Sequence, residues 1–498
     1  MIKTGCVTAV ALLAAALLAA APLAAQAAPG PYPGITLGSV ATPRPAPPAP
    51  GTIVGQNQSS FQGSVPQGEA TAEELRLSLD DALARGLRFN LGLIGRDLDS
   101  RVAQAQRLRA LSSLLPQIAA RVRQWNGSLS LVTFGFKFPG APEVIGPFSY
   151  QDARVSLTQN VLDLEALRNY QSARESQRAA ELTLRDARDT VVVVVGSVYY
   201  QVAASTARVD TARAQLDASR ALDQQAADRL KSGLSPAIDS LRATVQRHTD
   251  EQRLAVAQAA LEKDKLTLAR VTGLPLGQRF ALTTQVPFAA WSGPDEGAAL
   301  RLAYQSRNDL KSADAALRAA ELARAAAVAQ RFPVLAVDAD YGRVGKNFAN
   351  TDGTFTVAAG VSVPLFTGER IAAAVAQADA TLERRRSEVA DFKGRVDYEV
   401  RTAFLDMRAA ETSVEVARKN IDLAEQTLAQ ARDRFANGVT SNLEVVLAES
   451  DVAAAHENFI ASLFSHNFSK LTLLRAMGLA EQGVKQFLSG PAGVPPPG

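Results

Sequence analysis

The chain contains one helix-turn-helix pattern twice, and the two copies align without a gap. The segment Ala226–Gly233 matches Ala431–Gly438, and further along Lys265–Leu274 matches Lys470–Leu479. In both cases the matching segments are 205 residues apart. A constant offset over this distance indicates a duplicated unit, which constrains the fold before any local pattern does. Two large copies predict one pseudo-symmetric unit rather than a solenoid of many small repeats.

The N-terminus has the pattern of an export signal. Lys3 precedes an apolar run from about Val7 to Ala25, and Ala25–Ala27 has the small-x-small form that signal peptidase accepts. We therefore expect residues 1–27 to be removed on export, with an uncleaved membrane anchor as the alternative. The only cysteine, Cys6, precedes the apolar run, so the mature chain is expected to carry neither a disulfide nor a lipid anchor.

Composition divides the remaining chain. Residues 28–71 are rich in Pro, Gly, Gln and Ser, and residues 481–498 end in a proline run, so both are predicted to be flexible. Between them we place a first repeat at 72–282 and a second at 296–480. The 53 basic residues nearly balance 50 acidic ones, which gives no indication of nucleic-acid binding.

Two stretches are predicted to be very long helices. The stretches run from about Leu164 to Lys231 and from about Arg370 to Asn437, and each contains no proline and a single glycine. At ~1.5 Å per residue, each helix would extend roughly 100 Å. Apolar residues of the second stretch recur at alternating spacings of three and four, which is typical of a coiled-coil seam; they are Ile421, Ala424, Leu428, Ala431 and Phe435. The helices are therefore expected to pack side by side as a long bundle or barrel.

Four segments alternate between apolar and polar residues, as half-buried strands do. Three are clear, Ala153–Val161, Leu335–Tyr341 and Phe355–Val363, and a weaker one spans Ile118–Phe138. If the apolar face of this sheet contacts lipid, its edges must be paired, because unsatisfied backbone groups are excluded from a bilayer. Several copies of the chain would then close one barrel together. A small soluble sheet packed on the helices is the alternative.

Three motifs of the chain resemble the outer-membrane efflux proteins of the TolC family. They are the opening Leu77–Leu83 followed by Asn90, the strand-to-helix elbow Val361–Gly368, which includes Pro364, and the paired glycine-centred turns. The resemblance covers about residues 72 to 480, although Asn160 stands in the first elbow where the family often has proline. It implies a mainly α fold with a small β part. Three copies would form a 12-stranded transmembrane β-barrel, which a long antiparallel α-helical barrel continues.

The resemblance also implies a function and partners. The protein would be the exit duct of a tripartite efflux or type I secretion system in the outer membrane of a Gram-negative bacterium, with a large periplasmic part. The helix-turn-helix tips would dock a periplasmic adaptor (membrane fusion) protein and an inner-membrane pump of the RND or ABC type. The tip residues assigned to this docking are Arg229, Gly233, Leu234, Arg434, Gly438 and Val439.

Local chemistry at the turns gives further expectations. Gly233 and Gly438 are placed where a left-handed backbone ends a long helix. After the first turn, Ser235 is predicted to cap the returning helix with Pro236 at its first position. After the second turn, the segment Thr440–Asn442 offers the cap.

Asp239 and Glu444 are equivalent in the repeat, since they too are 205 residues apart. By the resemblance, both match acidic positions that line the tapered entrance of the family's channels. Rings of carboxylates in a narrow passage favour cations over anions. The alternative is that each is an acidic residue in the first turn of a helix, where the helix dipole favours it.

The sequence gives no support for catalysis. His248, His456 and His466 lie on predicted helices, and the last two are not spaced to place metal ligands on one helix face. The chain shows neither a phosphate-binding glycine loop nor a nucleophile elbow, so no enzyme activity, metal or cofactor is predicted. Two function classes remain. One is a passive export duct, and the other is a soluble periplasmic coiled-coil adaptor or scaffold, which would leave the two lipid-suited hairpins unexplained.

Overall fold

The computed structural model describes residues 60–135, 139–140, 142–233, 235–283, 288–347 and 349–487. The predicted signal sequence and most of the predicted leader lie outside the described residues, as do Leu234 at the first turn and the tail from residue 488.

Within the described residues, one order of elements occurs twice. The first repeat contains β1 Leu75–Leu77, α1 Leu79–Phe89, α2 Leu91–Ser112, β2 Gln117–Ser130, β3 Val144–Leu162, α3 Leu164–Lys231, α4 Ala237–Thr272 and β4 Phe280–Leu282. The second repeat contains α5 Glu296–Ser306, α6 Asn308–Ala329, β5 Val334–Asn347, β6 Asn350–Ser362, α7 Arg370–Ala436, α8 Asn442–Ala476 and α9 Ala480–Phe487. Each repeat therefore runs through two short helices, a strand pair, a very long helix and a returning helix.

The two long helices have the lengths that the absence of helix breakers predicts. Helix α3 has 68 residues and α7 has 67, so each extends about 100 Å at ~1.5 Å per residue. Asp163 begins α3, because its side chain accepts a hydrogen bond of 2.8 Å from the Ala166 amide. Helix α7 begins differently, after Gly368 and Glu369 in left-handed conformations with φ of 55° and 66°. The predicted helix bounds are confirmed to within one residue.

The four predicted strands form one antiparallel sheet in the order β2-β3-β5-β6. Its register places Val155 opposite Tyr341 and Val357 opposite Ala339, so the apolar residues of all strands share one face. Strand β2 is shorter than predicted, since it ends at Ser130 and a 3₁₀ turn at Val132–Phe134 follows. Phe136 and Phe138, which the predicted strand includes, lie outside the described residues.

A second, two-stranded sheet was not predicted. Strand β1 pairs in parallel with β4, and Leu75 lies opposite Phe280 in their register. The pairing connects the start of the first repeat with its end. Three residues are too few for alternation to be recognised, so only the contact itself reveals these strands.

The main core lies where α1, α4 and α8 pack on the middle of α3. Val191, Val192 and Val195 of α3 are fully buried there together with Leu268 of α4 and Leu471 of α8. Among the described helices, α3 is long and apolar enough to cross a membrane by length and composition. Its valine run, however, is enclosed by protein, as expected for a helix packed on two sides.

Both ends of the folded unit extend beyond the predicted bounds. In the predicted leader, Phe61 is 8% exposed and packs on Gly92, where a β-carbon would lie 2.4 Å from its ring. In the predicted tail, Glu481 of α9 accepts hydrogen bonds of 2.8 and 2.5 Å from Arg188. The predicted boundaries at residues 71 and 481 are therefore wrong for these segments. The boundaries were predicted from average composition, which cannot reveal a single packed aromatic residue such as Phe61 or a single ion pair.

A buried ionic network joins the two repeats near this core. Arg307, only 2% exposed, pairs with Asp309 at 2.6 Å and with Glu399 of α7 at 2.5 Å. Arg475 of α8 pairs with Asp186 of α3 at 2.6 Å. Burial raises the pKa of Asp186 to about 6, although the charge of Arg475 opposes the shift.

Candidate functional site

Each long helix ends at a glycine with a left-handed backbone, as predicted. Gly233 has φ of 69° and Gly438 has φ of 72°. At the second turn, the Gly438 amide donates to Phe435 O at 3.1 Å and the Val439 amide donates to Arg434 O at 2.9 Å. These bonds satisfy carbonyl groups that the helix end leaves without an intrahelical partner.

The first returning helix begins one residue later than predicted, and the second begins at a cap position within the predicted segment Thr440–Asn442. Pro236, not Ser235, occupies the cap of α4, and the helix begins at Ala237. The Ser235 hydroxyl has no hydrogen-bond partner within the described part of the chain, so the predicted cap is wrong. Ser441 occupies the cap of α8 with an extended backbone but makes no capping bond through its side chain.

Arg229 connects the first turn to the second. Its guanidinium donates to Phe435 O at 3.2 Å and to Ala436 O at 3.4 Å, and its central carbon lies 4.6 Å from the centre of the Phe435 ring. The last carbonyls of a helix carry the negative end of its dipole, which a cation stabilises. Arg229 therefore binds the C-terminal end of α7 instead of projecting freely from the tip.

A second contact joins the returning helices. The fully buried Asn442 donates from its side-chain amide to Asp239 O at 3.1 Å. Beneath both contacts lies a small apolar core drawn from all four helices of the two hairpins, composed of Leu222, Ala226, Ala243, Ala431, Phe435, Val445 and Ala448. The two hairpins therefore form one packed unit at their tips.

The two equivalent carboxylates occupy different surroundings. Asp239 is 6% exposed and lies 3.6 Å from Arg242 on its own helix. The Glu444 side chain is 45% exposed and lies 3.4 Å from Arg434. Within a single chain, only Glu444 presents its carboxylate at the surface. Among the other predicted tip residues, Val439 is exposed, while Leu234 is outside the described residues.

The elbow at the end of β6 exposes two large apolar side chains. Leu365 and Phe366, between Pro364 and Gly368, are 93% and 91% exposed. This elbow connects the sheet to α7, so the pair lies at the helical end of the sheet. Large apolar residues at such a boundary need a cover of lipid or protein.

One face of the sheet is mainly apolar, and the other carries most of the charged side chains of the sheet. Ile118, Val122, Val357 and Val361 lie on one face and are exposed. The opposite face carries Arg154, whose guanidinium pairs with Asp152 on its own strand at 2.9 Å and with Asp340 on the next strand at 2.6 Å. Strands β2 and β6 each have one edge without a partner within the described sheet.

The histidines do not assemble into a metal centre in the described part of the chain, where no group of three or more His, Cys, Asp or Glu side chains is placed to hold a metal ion. His248 lies 3.2 Å from Glu251, and His456 lies 3.4 Å from Glu425. His466 is fully buried beside Phe288, with 5.0 Å between ring centres, and neither ring nitrogen has a hydrogen-bond partner among the described residues.

A sheet with an apolar outer face, joined to paired helical hairpins of this length, defines a class of protein, the outer-membrane channels. The sequence model of the outer membrane efflux protein family matches residues 97–274 and 299–479, and the chain belongs to that family. The predicted resemblance is thereby confirmed. The family is one of outer-membrane channel proteins, so the chain is an outer-membrane efflux channel rather than a soluble adaptor.

Individual relatives agree with this assignment. The pyoverdine export outer membrane protein OpmQ of Pseudomonas aeruginosa is 24% identical over 423 residues, which cover 82% of this chain and 87% of that protein. The toluene efflux pump outer membrane protein TtgF of Pseudomonas putida is 25% identical over 330 residues, or 64% of this chain and 65% of that protein. The crystal structure of the outer membrane protein VceC of Vibrio cholerae has the same fold. It shares 18% identity, has a TM-score of 0.71, and the match covers 80% of this chain and 96% of that one.

Proposed function

We propose that three copies of this chain close their sheets into one 12-stranded barrel in the outer membrane, and that their helices continue it as a duct through the periplasm. The observation that carries the proposal is the four-stranded sheet, whose two edge strands, β2 and β6, each lack one partner among the described residues. A bilayer excludes open edges, so strand β6 of one copy pairs with strand β2 of the next until the barrel closes.

The exposure of the apolar face supports the same arrangement. Phe355 and Tyr341 lie opposite each other on this face and both are exposed, as are Val357 and Val361. A soluble antiparallel sheet normally buries its apolar face against a core. Here the apolar face contacts lipid, and the charged face around Arg154 lines a water-filled passage.

The helical tips are the docking end of the duct. An adaptor (membrane fusion) protein binds the tips at the exposed surface near Arg434 and Val439, and an inner-membrane pump of the RND or ABC type supplies the energy. The channel itself is passive and serves a tripartite efflux or type I secretion system. The bridge from Arg229 to Phe435 and the bond from Asn442 to Asp239 hold the two hairpins together in the undocked state, while the ion pair of Arg434 with Glu444 joins the two helices of the second hairpin.

Glu444 gives the entrance its charge preference. Its half-exposed carboxylate recurs in each copy of the trimer and surrounds the narrow end of the duct. Such a ring attracts cations and repels anions. Asp239 supports the tip from within, since it is buried between the packed helices.

Cross-linking tests the barrel. The only native cysteine is Cys6 in the predicted signal, so introduced cysteines react without background in the mature chain. Ala119→Cys on β2 combined with Ala358→Cys on β6 should give covalent dimers and trimers with a flexible bismaleimide in outer-membrane fractions. The control pair, Val155→Cys and Tyr341→Cys, lies opposite within one chain and should give no ladder. Recovery of the mature protein as a periplasmic monomer, with no ladder from either pair, would refute the proposal.

A further inference from the structure

Strand β2 carries a row of three large side chains on the charged face of the sheet. Arg121, Arg123 and Trp125 occupy alternate positions, so their side chains share one face. The register places Arg121 opposite Arg154, Arg123 opposite Asp152 and Trp125 opposite Tyr150. This is the face on which Arg154 also meets Asp340, and it is opposite to the apolar face of Val122 and Val155.

The two arginines at the start of this row have no carboxylate partner among the residues that the structure describes. Asp152, which faces Arg123 across the strands, is paired with Arg154 at 2.9 Å, and Arg154 also holds Asp340. Within the described part of the chain, Arg121 and Arg123 form neither an ion pair nor a side-chain hydrogen bond, and both are exposed. Two guanidinium groups therefore remain available on this face.

The tryptophan at the end of the row is held in place. Its ring centre lies 5.0 Å from that of Phe148 and 5.6 Å from that of Tyr150. The indole lies along its own strand over Gly127, where a β-carbon would come within 2.5 Å of the ring. Its N–H group has no acceptor among the described residues. The ring thus offers an aromatic surface and an unused donor beside Arg123.

We propose that Arg121, Arg123 and Trp125 form a contact site in the channel for cargo that combines an aromatic ring with a carboxylate. A carboxylate matches the fork of a guanidinium group, and an aromatic ring packs on the indole. Alternate residues of a strand, such as Arg123 and Trp125, are about 7 Å apart. One small aromatic acid can bridge this distance, because the flexible arginine side chain reaches toward its carboxylate while its ring packs on the indole. This proposal rests on the proposed function, in which the charged face lines the passage.

The neighbouring copy in the proposed trimer leaves this row accessible. Strand β6, which pairs with β2 of the next copy, contributes Thr354, Thr356, Ala358 and Gly360 to the same face. Its one carboxylate on that face, within Asn350–Ser362, is Asp352 near the loop end. Small neutral side chains neither neutralise the arginines nor cover the indole. The site would occur once per copy around the passage, and weak, repeated contacts of this kind permit both entry and release.

Tryptophan fluorescence tests the site directly. The chain has two tryptophans, so a Trp291→Phe variant reports on Trp125 alone. In the purified trimer of this variant, benzoate should change the emission in a saturable way, whereas acetate, which lacks the ring, and benzamide, which lacks the charge, should have little effect. Arg121→Gln together with Arg123→Gln should weaken the benzoate response at least about tenfold. Arg343→Gln, on the apolar face of the same sheet, should leave it unchanged.

Channel recording in bilayers provides a second readout that retains both tryptophans. Benzoate should lower the chloride current through the native trimer, and the double glutamine variant should lose this block. Two results would refute the contact site while leaving the proposed duct intact, provided that the trimer conducts normally. One is an equal effect of benzoate on the chloride current of native and double-variant channels. The other is an effect of benzamide equal to that of benzoate. If no trimer or no conduction is found, the proposed function itself is refuted.

Discussion

The guanidinium carbon of Arg229 lies 4.6 Å from the ring centre of Phe435, and the same group donates hydrogen bonds to the carbonyls of Phe435 and Ala436. One side chain thus binds the end of the other repeat's long helix. We expect Arg229→Ala to weaken this connection by about 1–2 kcal/mol, since a cation–π contact and hydrogen bonds to helix-end carbonyls are lost together. Amide hydrogen exchange at residues 430–440 should become faster, and channels in bilayers should open more often.

Two matched variants make this prediction specific. Arg229→Lys keeps the charge but loses the planar fork, so its exchange rates should fall between those of the native protein and Arg229→Ala. Arg213→Ala removes an exposed arginine elsewhere on α3, whose nearest carboxylate, Asp210, is 3.8 Å away, and should have little effect. Unchanged exchange in Arg229→Ala would show that the bridge does not hold the tips.

Adjacent residues of β6 distinguish the two faces of the sheet. Val357 lies on the apolar face and Thr356 on the charged face. We expect Val357→Arg to cost about 2–4 kcal/mol if it lies near the bilayer midplane, and to reduce the amount of assembled trimer. Thr356→Arg should be far milder, because its side chain faces water. Heat-modifiable trimer on gels measures both, and equal losses would contradict the face assignment.

The two tip carboxylates have different surroundings, and we predict different roles for them. Glu444→Gln should weaken cation preference in single-channel recordings with little change in stability, because its side chain is half exposed. Asp239→Asn should chiefly affect the stability of the tip, because its carboxylate is buried beside Arg242. Reversal potentials in a salt gradient and thermal unfolding measure the two effects separately. An unchanged cation preference in Glu444→Gln would contradict the placement of Glu444 at the entrance.

Stability should depend on His466 below neutral pH. Burial, together with the nearby charge of Lys470, lowers the pKa of His466 to about 4. Between pH 6.5 and about 4 the unfolded chain therefore binds a proton at this residue while the folded chain does not, so stability falls as the pH decreases through this window. The loss amounts to about 3 kcal/mol per chain when the full shift is traversed.

A phenylalanine at this position provides the comparison. His466→Phe keeps a ring against Phe288 and cannot titrate. As the pH is lowered from 7 to 4.5, the melting temperature of the native protein should fall more than that of His466→Phe. Parallel melting curves for native and His466→Phe across this range would contradict the assigned burial.

Much of the architecture was predictable because it depends on neighbouring residues of the same element. The missing helix breakers between Leu164 and Lys231 fixed the length of α3, and the alternation of Phe355–Val363 identified β6 and its faces. Gly233 and Gly438 marked the turns, since few other residues adopt a left-handed backbone without strain. The duplication and these motifs together identified the family.

Predictions that required contacts between distant residues were incomplete. The sequence predicts Ser235 as the cap of α4, whereas Pro236 occupies that position, and no local pattern predicts the packing of Phe61 on Gly92. The row of Arg121, Arg123 and Trp125 is visible in the sequence. The ion pairs of Arg154 with Asp152 and Asp340, which leave both arginines without a carboxylate in the described sheet, appear only when β3 lies between β2 and β5.

The sequence by itself therefore determined the elements, their order, the faces of the sheet and the family, because periodicity and backbone preference are local properties. The tertiary structure decided which equivalent residues share an environment. Asp239 and Glu444 occupy the same repeat position, yet one is buried and the other half exposed. Arg229 reaches a carbonyl 206 residues away. Burial and pairing of this kind arise only when separate helices pack. The two copies of the repeat share a sequence pattern, but equivalent residues in them contact different neighbours.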